Sequence, residues 1–266
     1  NGVVYALNEE NGEVLWQTTV PGEVVASPAV EDGRVVVLTT SGRLVALDTD
    51  EGKLQWTLAE EQPPLTLRSA GAPVITNGAV LYGRADGKVG IALLSNGQPV
   101  RQSKVADPRG ATELDRMVDV DARPLIAGDE LYAIAYNGQL MARKLMTGDE
   151  VWKRKYSGYR DMAVTGNAIV LTDSRSHLFA VDRRNGLELW SNTQLENRTV
   201  TAPVILGDYV VVGDVEGYLY WLDRTDGTIK AMQQLDSSGL YAAPLVEGDT
   251  LYVQSRGGKL YAIKRP

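Results

Sequence analysis

The sequence contains no cysteine, one histidine and one phenylalanine among its 266 residues. Without cysteine the chain forms no disulfide and has no thiolate to act as a nucleophile or metal ligand. Because His177 is the only histidine, we expect no histidine-based metal site and no nucleophile–histidine triad. We interpret His177 as a polar residue on a strand.

Long apolar runs and a basic excess are also missing. No run approaches the 18 apolar residues of a membrane-spanning helix. The net charge of −7 opposes a general affinity for nucleic acid or anionic lipid. The glycines do not form a phosphate-binding loop, since they recur at regular spacing along the chain.

That spacing belongs to a phrase that runs from Ala46 through Gly52 to Trp56. The copies, some of them looser, are Ala6–Trp16, Ala92–Arg101, Ala142–Trp152, Ala180–Trp190 and Trp221–Ala231. The last residues of successive copies are 40, 45, 51, 38 and 40 positions apart. A period near 40 residues that contains several short strands is typical of a β-propeller.

Each repeat reads as four strands. Within residues 24–58, apolar and β-branched runs are separated by Asp32-Gly33, by Ser41-Gly42 and by the turn 49–52. Turns at such short intervals leave no room for a long helix. The prediction is an all-β protein, a β-propeller of four-stranded antiparallel blades with about six blades represented, forming a single domain over residues 1–266.

The two ends of the chain fall in the middle of a blade. Residues 1–20 carry the third and fourth strands of a blade, and residues 236–266 carry the first three. The terminal segments could complete one blade and close a six-bladed ring. Alternatively, the chain is a piece of a larger propeller that lacks its opening blades, and we favour this second interpretation.

The repeat also predicts structural residues. These are the tryptophans Trp16, Trp56, Trp152 and Trp190, predicted to be core, and the turn glycines Gly12, Gly52, Gly148, Gly186 and Gly227. The phrase resembles the tryptophan-docking repeat of quinoprotein dehydrogenases. That resemblance implies that each tryptophan packs against the neighbouring blade.

Two segments depart from the repeat, Glu60–Ser69 and Ala106–Asp121. Both follow the fourth strand of a blade, on adjacent blades, so we expect them on one face. They offer apolar, basic and acidic side chains for a partner-binding patch: Leu65, Leu67, Arg68, Asp119 and Asp121. In the alternative interpretation, Leu65 and Leu67 face the core, and Arg68 pairs with either aspartate as a surface bridge.

Several longer phrases carry a more specific resemblance. They are Leu65–Ser69, Thr112–Asp121, Ala135–Gly138, Val212–Trp221 and Leu235–Gly239. They resemble the BamB family, the propeller lipoproteins of the machine that assembles β-barrels in the bacterial outer membrane. The resemblance implies eight blades in the intact protein, a periplasmic location and a lipid anchor on an N-terminal cysteine. It also implies that residues matching the patch contact a POTRA domain of BamA.

The function predicted from these observations is that of a non-enzymatic scaffold without a cofactor. It docks on BamA, and it could also offer unfolded outer-membrane proteins a transient stop. The alternative is a quinone- and calcium-dependent dehydrogenase, which needs a calcium site and a catalytic aspartate. Most carboxylates, such as Asp48 and Asp182, instead fall in turns, where they bond to the backbone. A third class is a propeller that holds a small ligand in its axial channel, and no residue identifies such a ligand.

Overall fold

The computed structural model describes residues 2–67 and 71–265. Over these ranges the chain forms strands and connecting turns and contains no α-helix, so no described helix could cross a membrane. The described residues form seven sheets, numbered here in chain order. Sheets 2 to 6 have four strands each, sheet 1 has two and sheet 7 has three. The prediction of an all-β protein with four-stranded repeats is confirmed.

The strands of the first three sheets follow one another along the chain. Sheet 1 comprises β1 (Gly2–Leu7) and β2 (Val14–Val20). Sheet 2 comprises β3 (Ala29–Glu31), β4 (Arg34–Leu38), β5 (Arg43–Asp48) and β6 (Leu54–Ala59). Sheet 3 comprises β7 (Val74–Thr76), β8 (Ala79–Gly83), β9 (Lys88–Leu93) and β10 (Pro99–Lys104).

The remaining sheets keep the same order. Sheet 4 comprises β11 (Leu125–Ala127), β12 (Glu130–Ile134), β13 (Leu140–Lys144) and β14 (Glu150–Arg154). Sheet 5 comprises β15 (Ala163–Thr165), β16 (Ala168–Thr172), β17 (Leu178–Asp182) and β18 (Glu188–Asn192). Sheet 6 comprises β19 (Val204–Leu206), β20 (Tyr209–Gly213), β21 (Tyr218–Asp223) and β22 (Ile229–Gln234). Sheet 7 comprises β23 (Leu245–Glu247), β24 (Thr250–Gln254) and β25 (Leu260–Lys264).

The chain divides into two compact units. Unit 1 contains the residues up to Ile126 together with Leu131–Leu140, and unit 2 contains Ala127–Glu130 and the residues from Met141 onward. In unit 1, β3 lies beside β7; in unit 2, β15 lies beside β19 and β19 beside β23. Within each unit, first strands of successive sheets are therefore neighbours. The single domain expected from the repeat stays a prediction.

Local sequence explains the hairpins. Asp32 and Gly33 both have positive φ, 49° and 71°, and Asn77 and Gly78 have 49° and 70°. These are the backbone angles of a type I′ turn, which matches the twist of the two strands that it joins. The middle strands are buried on both faces, as in the Val-rich β4, whereas β6 alternates between exposed and buried positions. A proline directly precedes the first strand of five sheets: Pro28, Pro73, Pro124, Pro203 and Pro244.

The tryptophans of the repeat join successive sheets. Each donates its indole N–H to a backbone carbonyl just after the third strand of the next sheet: Trp16 to Thr49 (2.8 Å), Trp56 to Leu94 (2.8 Å), Trp152 to Arg183 (2.7 Å) and Trp190 to Arg224 (3.0 Å). Trp56, Trp152 and Trp190 are buried, and Trp16 is half-buried.

The glycine of the next phrase leaves room for each indole ring. A Cβ atom would lie 2.4 Å from the Trp16 ring at Gly52, 2.5 Å from Trp56 at Gly97, 2.6 Å from Trp152 at Gly186 and 2.4 Å from Trp190 at Gly227. All five predicted turn glycines have φ between 66° and 79°. A side chain at these positions would therefore meet left-handed strain and, where a ring is docked, a steric clash.

Candidate functional site

Both irregular segments lie in unit 1. The first connection joins β6 to β7, and the second connection joins β10 to β11. The backbone N–H of Leu67 donates a hydrogen bond to Asp119 Oδ1 at 2.9 Å, across 52 residues of sequence. A Cβ atom on Gly71 would lie only 2.4 Å from the carbonyl oxygen of Asp121. The two connections are therefore in direct contact. Arg68, the basic member of the predicted patch, lies outside the described residues.

The predicted patch residues differ in exposure. Leu65 is 41% exposed and Leu67 is half-buried, whereas Asp119 and Asp121 are buried, at 1% and 8%. Residues 65–67, called here the leucine segment, thus form the outer surface, and the two aspartates lie beneath them. Their direct contact with a partner stays a prediction. The structure gives Asp119 a different task, which is to hold the leucine segment through the Leu67 N–H.

The buried environment of Asp119 destabilises the charged form of its carboxyl group. Burial raises the pKa of the Asp119 carboxyl above its usual value, and the hydrogen bond from the Leu67 N–H opposes that rise. Among the described residues, Asp119 Oδ2 has no hydrogen-bond partner. A buried carboxylate with one unpaired oxygen destabilises its surroundings unless it is neutralised.

The end of β8 supports the second connection through its backbone. Val120 N donates to Arg84 O at 3.1 Å, and Tyr136 N donates to Asp119 O at 2.9 Å. A Cβ atom on Gly83 would lie 1.8 Å from Val120 O. Main chain packs directly on main chain here, so the second connection is held closely against sheet 3.

A buried polar cluster supports the first connection. The Tyr82 hydroxyl donates to Glu60 Oε1 at 2.5 Å, and the Arg84 guanidinium forms an ion pair with Glu60. Arg84 also binds Asp86 in a bidentate manner, with Nε and Nη2 at 3.0 and 2.9 Å from its carboxylate oxygens. Burial is the main cause that raises the pKa of the Tyr82 hydroxyl, and the hydrogen bond to Glu60 raises it further. The cluster therefore fixes the start of the leucine segment to the end of β8.

The cavity beside this cluster is small. Its volume is about 20 Å³, and its lining includes Glu60, Gln62, Thr66, Tyr82 and Asp121. A space of this size holds about one water molecule.

The histidine and the turn carboxylates have local roles. Over 2–67 and 71–265, no group of three or more Asp, Glu or His side chains is arranged to hold a metal ion. His177 lies one residue before β17, in a turn rather than on the strand as expected, and its Nδ1 is 2.9 Å from Asp173 Oδ2. Hydrogen bonds from backbone N–H groups to Asp48 and Asp182 place both carboxylates in turn-stabilising roles.

Comparison with known proteins decides the family. A family model described as outer membrane protein assembly factor BamB matches residues 1–192 and 188–265. The chain belongs to the BamB family.

Individual BamB proteins show how much of the family the chain covers. BamB of Shewanella oneidensis is 46% identical over 208 residues, which are 78% of this chain and 53% of that protein. BamB of Vibrio cholerae is 46% identical over 252 residues, with 78% and 65% covered. The chain thus spans about half to two thirds of the length of these curated relatives.

A solved BamB structure supports the fold. The crystal structure of BamB from Moraxella catarrhalis matches with a TM-score of 0.93 and 28% identity, over 99% of this chain and 79% of that one. The resemblance to the BamB family and the β-propeller fold class are confirmed. The relatives are named as assembly factors and not as enzymes, in agreement with the prediction of a non-enzymatic protein.

The sequence did not predict the residues that support the predicted patch. Glu60 lies at the edge of the predicted segment, and Tyr82 and Arg84 lie outside both irregular segments. The available signal was weak, since a strand that ends in Tyr82-Gly83 and is followed by Arg84 shows no special spacing. Their role depends on contacts between distant residues, such as the 22-residue separation of Glu60 and Tyr82.

Asp119→Asn tests the interpretation of the buried carboxylate. The amide oxygen still accepts the Leu67 N–H, and the buried charge is gone. We expect the free energy of unfolding at neutral pH to rise by roughly 1 kcal/mol. Because the pKa of Asp119 is raised in the folded state, the gain should be absent below the ordinary aspartate pKa. It should grow with pH and be complete above the raised pKa.

Urea unfolding at neutral and acidic pH measures this difference. Asp119→Ala is the matched control, because it removes both the charge and the acceptor of the Leu67 bond. A variant Asp119→Asn that is less stable than the parent chain at neutral pH would show that the carboxylate is paired and favourable.

Proposed function

We propose that this chain acts as a non-enzymatic scaffold subunit of the outer-membrane β-barrel assembly machine, at the periplasmic face of the outer membrane. In this proposal it docks on a POTRA domain of BamA and so aids the assembly and insertion of outer-membrane proteins. Membership of the BamB family supports the role. Transient contact with unfolded outer-membrane proteins and a lipid anchor on the longer protein belong to the same proposal.

The observation that carries the docking site is the bond between the two connections. Leu65 is 41% exposed, and two residues later the Leu67 backbone is held by the buried Asp119. An apolar side chain on a fixed backbone loses little conformational entropy on binding. We therefore assign Leu65 and Leu67 to the contact with the POTRA domain, and Arg68 to the same contact by sequence.

Asp119 and Asp121 take a positioning role in this proposal. Both are buried. The Asp119 carboxylate holds the Leu67 N–H, and the Asp121 backbone carbonyl lies against Gly71. The buried cluster of Glu60, Tyr82 and Arg84 fixes the same segment at its other end. The mechanism is positional, because a rigid surface holds the POTRA domain in one pose and no chemical step is required.

The double variant Leu65→Ala, Leu67→Ala tests the docking site. Each leucine anchor contributes about 1.5–3 kcal/mol when it is buried by a partner, so we expect binding to BamA to weaken at least tenfold. Pull-down with BamA and titration with its POTRA region measure the loss. Circular dichroism should be unchanged.

Leu54→Ala is a matched control for this experiment. Leu54 is 61% exposed and begins β6, a strand roughly 17 Å long, so it lies at the end of β6 opposite to the connection that carries Leu65 and Leu67. Its replacement should leave BamA binding unchanged. Equal binding by the double variant and the parent chain would refute the assigned surface.

A further inference from the structure

The second connection carries an exposed leucine that the proposed contact does not use. Leu114 is 63% exposed, and it lies within a tight turn of residues 111–116. The neighbouring Glu113 and Arg116 are also exposed, and their charged groups are 3.6 Å apart. An apolar side chain with a polar rim is the usual arrangement at the centre of a protein interface.

The turn that presents Leu114 is closed by reciprocal hydrogen bonds. Thr112 Oγ1 and Thr112 N donate to Asp115 Oδ2 at 2.7 and 3.1 Å, and Asp115 N donates to Thr112 Oγ1 at 3.1 Å. This is the pattern of a capping box. The hydrogen bond from the Thr112 hydroxyl is the main cause that lowers the pKa of the Asp115 carboxyl, and hydrogen bonds from backbone N–H groups lower it further. Leu114 lies between the two bonded residues, so its backbone is fixed before any partner arrives.

The ends of the turn are anchored as well. Arg116 Nε donates to Gly110 O at 3.1 Å. Met117 and Val118 follow directly and are buried, at 6% and 1% exposure, whereas Leu114 exposes its apolar surface to solvent. Exposure of a single leucine is common on protein surfaces, so what distinguishes Leu114 is the ordered turn that presents it and the place of that turn in the chain.

The Leu114 turn is continuous with the proposed docking surface. Asp119 lies five residues after Leu114 on the same connection, and it binds the Leu67 N–H at 2.9 Å. The close approach of Gly71 to the Asp121 carbonyl joins the two connections a second time. Leu65 and Leu114 therefore lie on two connections of unit 1 that contact each other.

We infer that Leu114 is a second apolar anchor for the partner domain that contacts Leu65. This inference rests on the proposed function. The partner must present two apolar depressions on one domain, one for the leucine segment and one for the Leu114 turn. The Thr112–Asp115 pair is a positioning element, since it holds the turn without touching the partner.

Binding of the purified chain to the POTRA region of BamA tests the second anchor. Leu114→Ala should raise the dissociation constant about tenfold, which is the change expected when a leucine loses its buried contact. Leu54→Ala is the control, because Leu54 is exposed to nearly the same extent, 61% against 63%. Its binding should match that of the parent chain, and both variants should keep the parent's unfolding transition.

A second variant separates presentation from contact. Asp115→Ala opens the capping box and leaves Leu114 in place, so we expect binding to weaken roughly threefold through lost preorganisation. The far-ultraviolet circular dichroism spectrum should stay unchanged. Full binding by this variant would overturn the positioning role of the Thr112–Asp115 pair.

The outcomes distinguish this inference from the function on which it rests. Loss of binding in Leu114→Ala and in the Leu65, Leu67 variant supports both. Normal binding by Leu114→Ala, with loss in the leucine-segment variant, overturns the second anchor and leaves the docking proposal standing. Normal binding by both overturns the docking surface as a whole. A loss in Leu54→Ala equal to that in Leu114→Ala would also overturn the inference, because the effect would not be local.

Discussion

Trp56→Ala should lower the free energy of unfolding by about 3–5 kcal/mol, the usual cost of removing a buried aromatic ring. The Trp56 ring is 9% exposed and packs in a cluster that includes Val80 and Ala92 of sheet 3. Its Nε1–H donates to Leu94 O at 2.8 Å. The truncation leaves both a cavity and an unpaired carbonyl, and chemical denaturation measures the combined loss.

A double-mutant cycle with Gly97 shows whether the ring and the glycine act as one unit. Gly97→Ala places a Cβ atom 2.5 Å from Trp56 Cε3, at a residue with φ of 72°. We expect the single change to cost about 3 kcal/mol or more, partly from overpacking and partly from left-handed strain. When Trp56 is already alanine, only the strain remains, so the cost should fall to about 1–2 kcal/mol.

Gly12→Ala isolates the strain in the same chain. Gly12 has φ of 73°, and a methyl group added there would have no neighbouring atom within 4 Å. The change should therefore cost about 1–2 kcal/mol regardless of any tryptophan. Simple additivity of Trp56→Ala and Gly97→Ala would contradict direct docking of the ring on the glycine.

The docking of each tryptophan on a glycine of the next phrase explains why the repeat could be recognised in the sequence. The phrase joins residues that meet in space at fixed offsets. Ala46 lies directly opposite Trp56 in the ladder between β5 and β6, and Ala6 and Ala180 lie opposite Trp16 and Trp190. A small residue across from a large ring, and a glycine of the next phrase beneath that ring, recur because sheets 1, 2, 4 and 5 each pack a tryptophan on the following sheet. The period and the strand order therefore follow from local sequence alone.

The candidate site was only partly predictable, because its geometry depends on contacts between distant segments. The irregular lengths of the two connections pointed to Leu65, Leu67 and Asp119. They did not show that Asp119 is buried beneath the leucines, since that fact depends on a bond across 52 residues. Leu114 was inside the irregular segment, but exposure of one leucine in a turn leaves no pattern in the sequence.

The structure also connects stability with the proposed function. The leucine segment and the second connection contact each other, and both rest on the last residues of β8. A change that displaces either connection should therefore act on partner binding as well as on folding. Such a change should lie beneath the surface, where it removes no contact atom.

Gly83→Ala is that change, and it should have a large effect. Gly83 ends β8, and a Cβ atom there would lie 1.8 Å from Val120 O and 2.9 Å from Val120 C. Its φ is outside the left-handed region, so the whole cost is steric. Because the obstacle is backbone and not a flexible side chain, we expect a loss of about 3 kcal/mol in the free energy of unfolding.

The same variant should weaken BamA binding about tenfold if the proposed docking surface is correct. Moving Val120 away from β8 also moves Asp119, whose carboxylate holds the Leu67 N–H. Gly213→Ala is the matched control, because Gly213 ends β20 at the equivalent position in sheet 6 and its Cβ would meet the Leu240 side chain at 2.8 Å. That variant should lose stability while retaining binding, since it lies in unit 2, which contains neither connection. Parallel losses of binding in both glycine variants would mean that binding follows overall stability and not the position of the second connection.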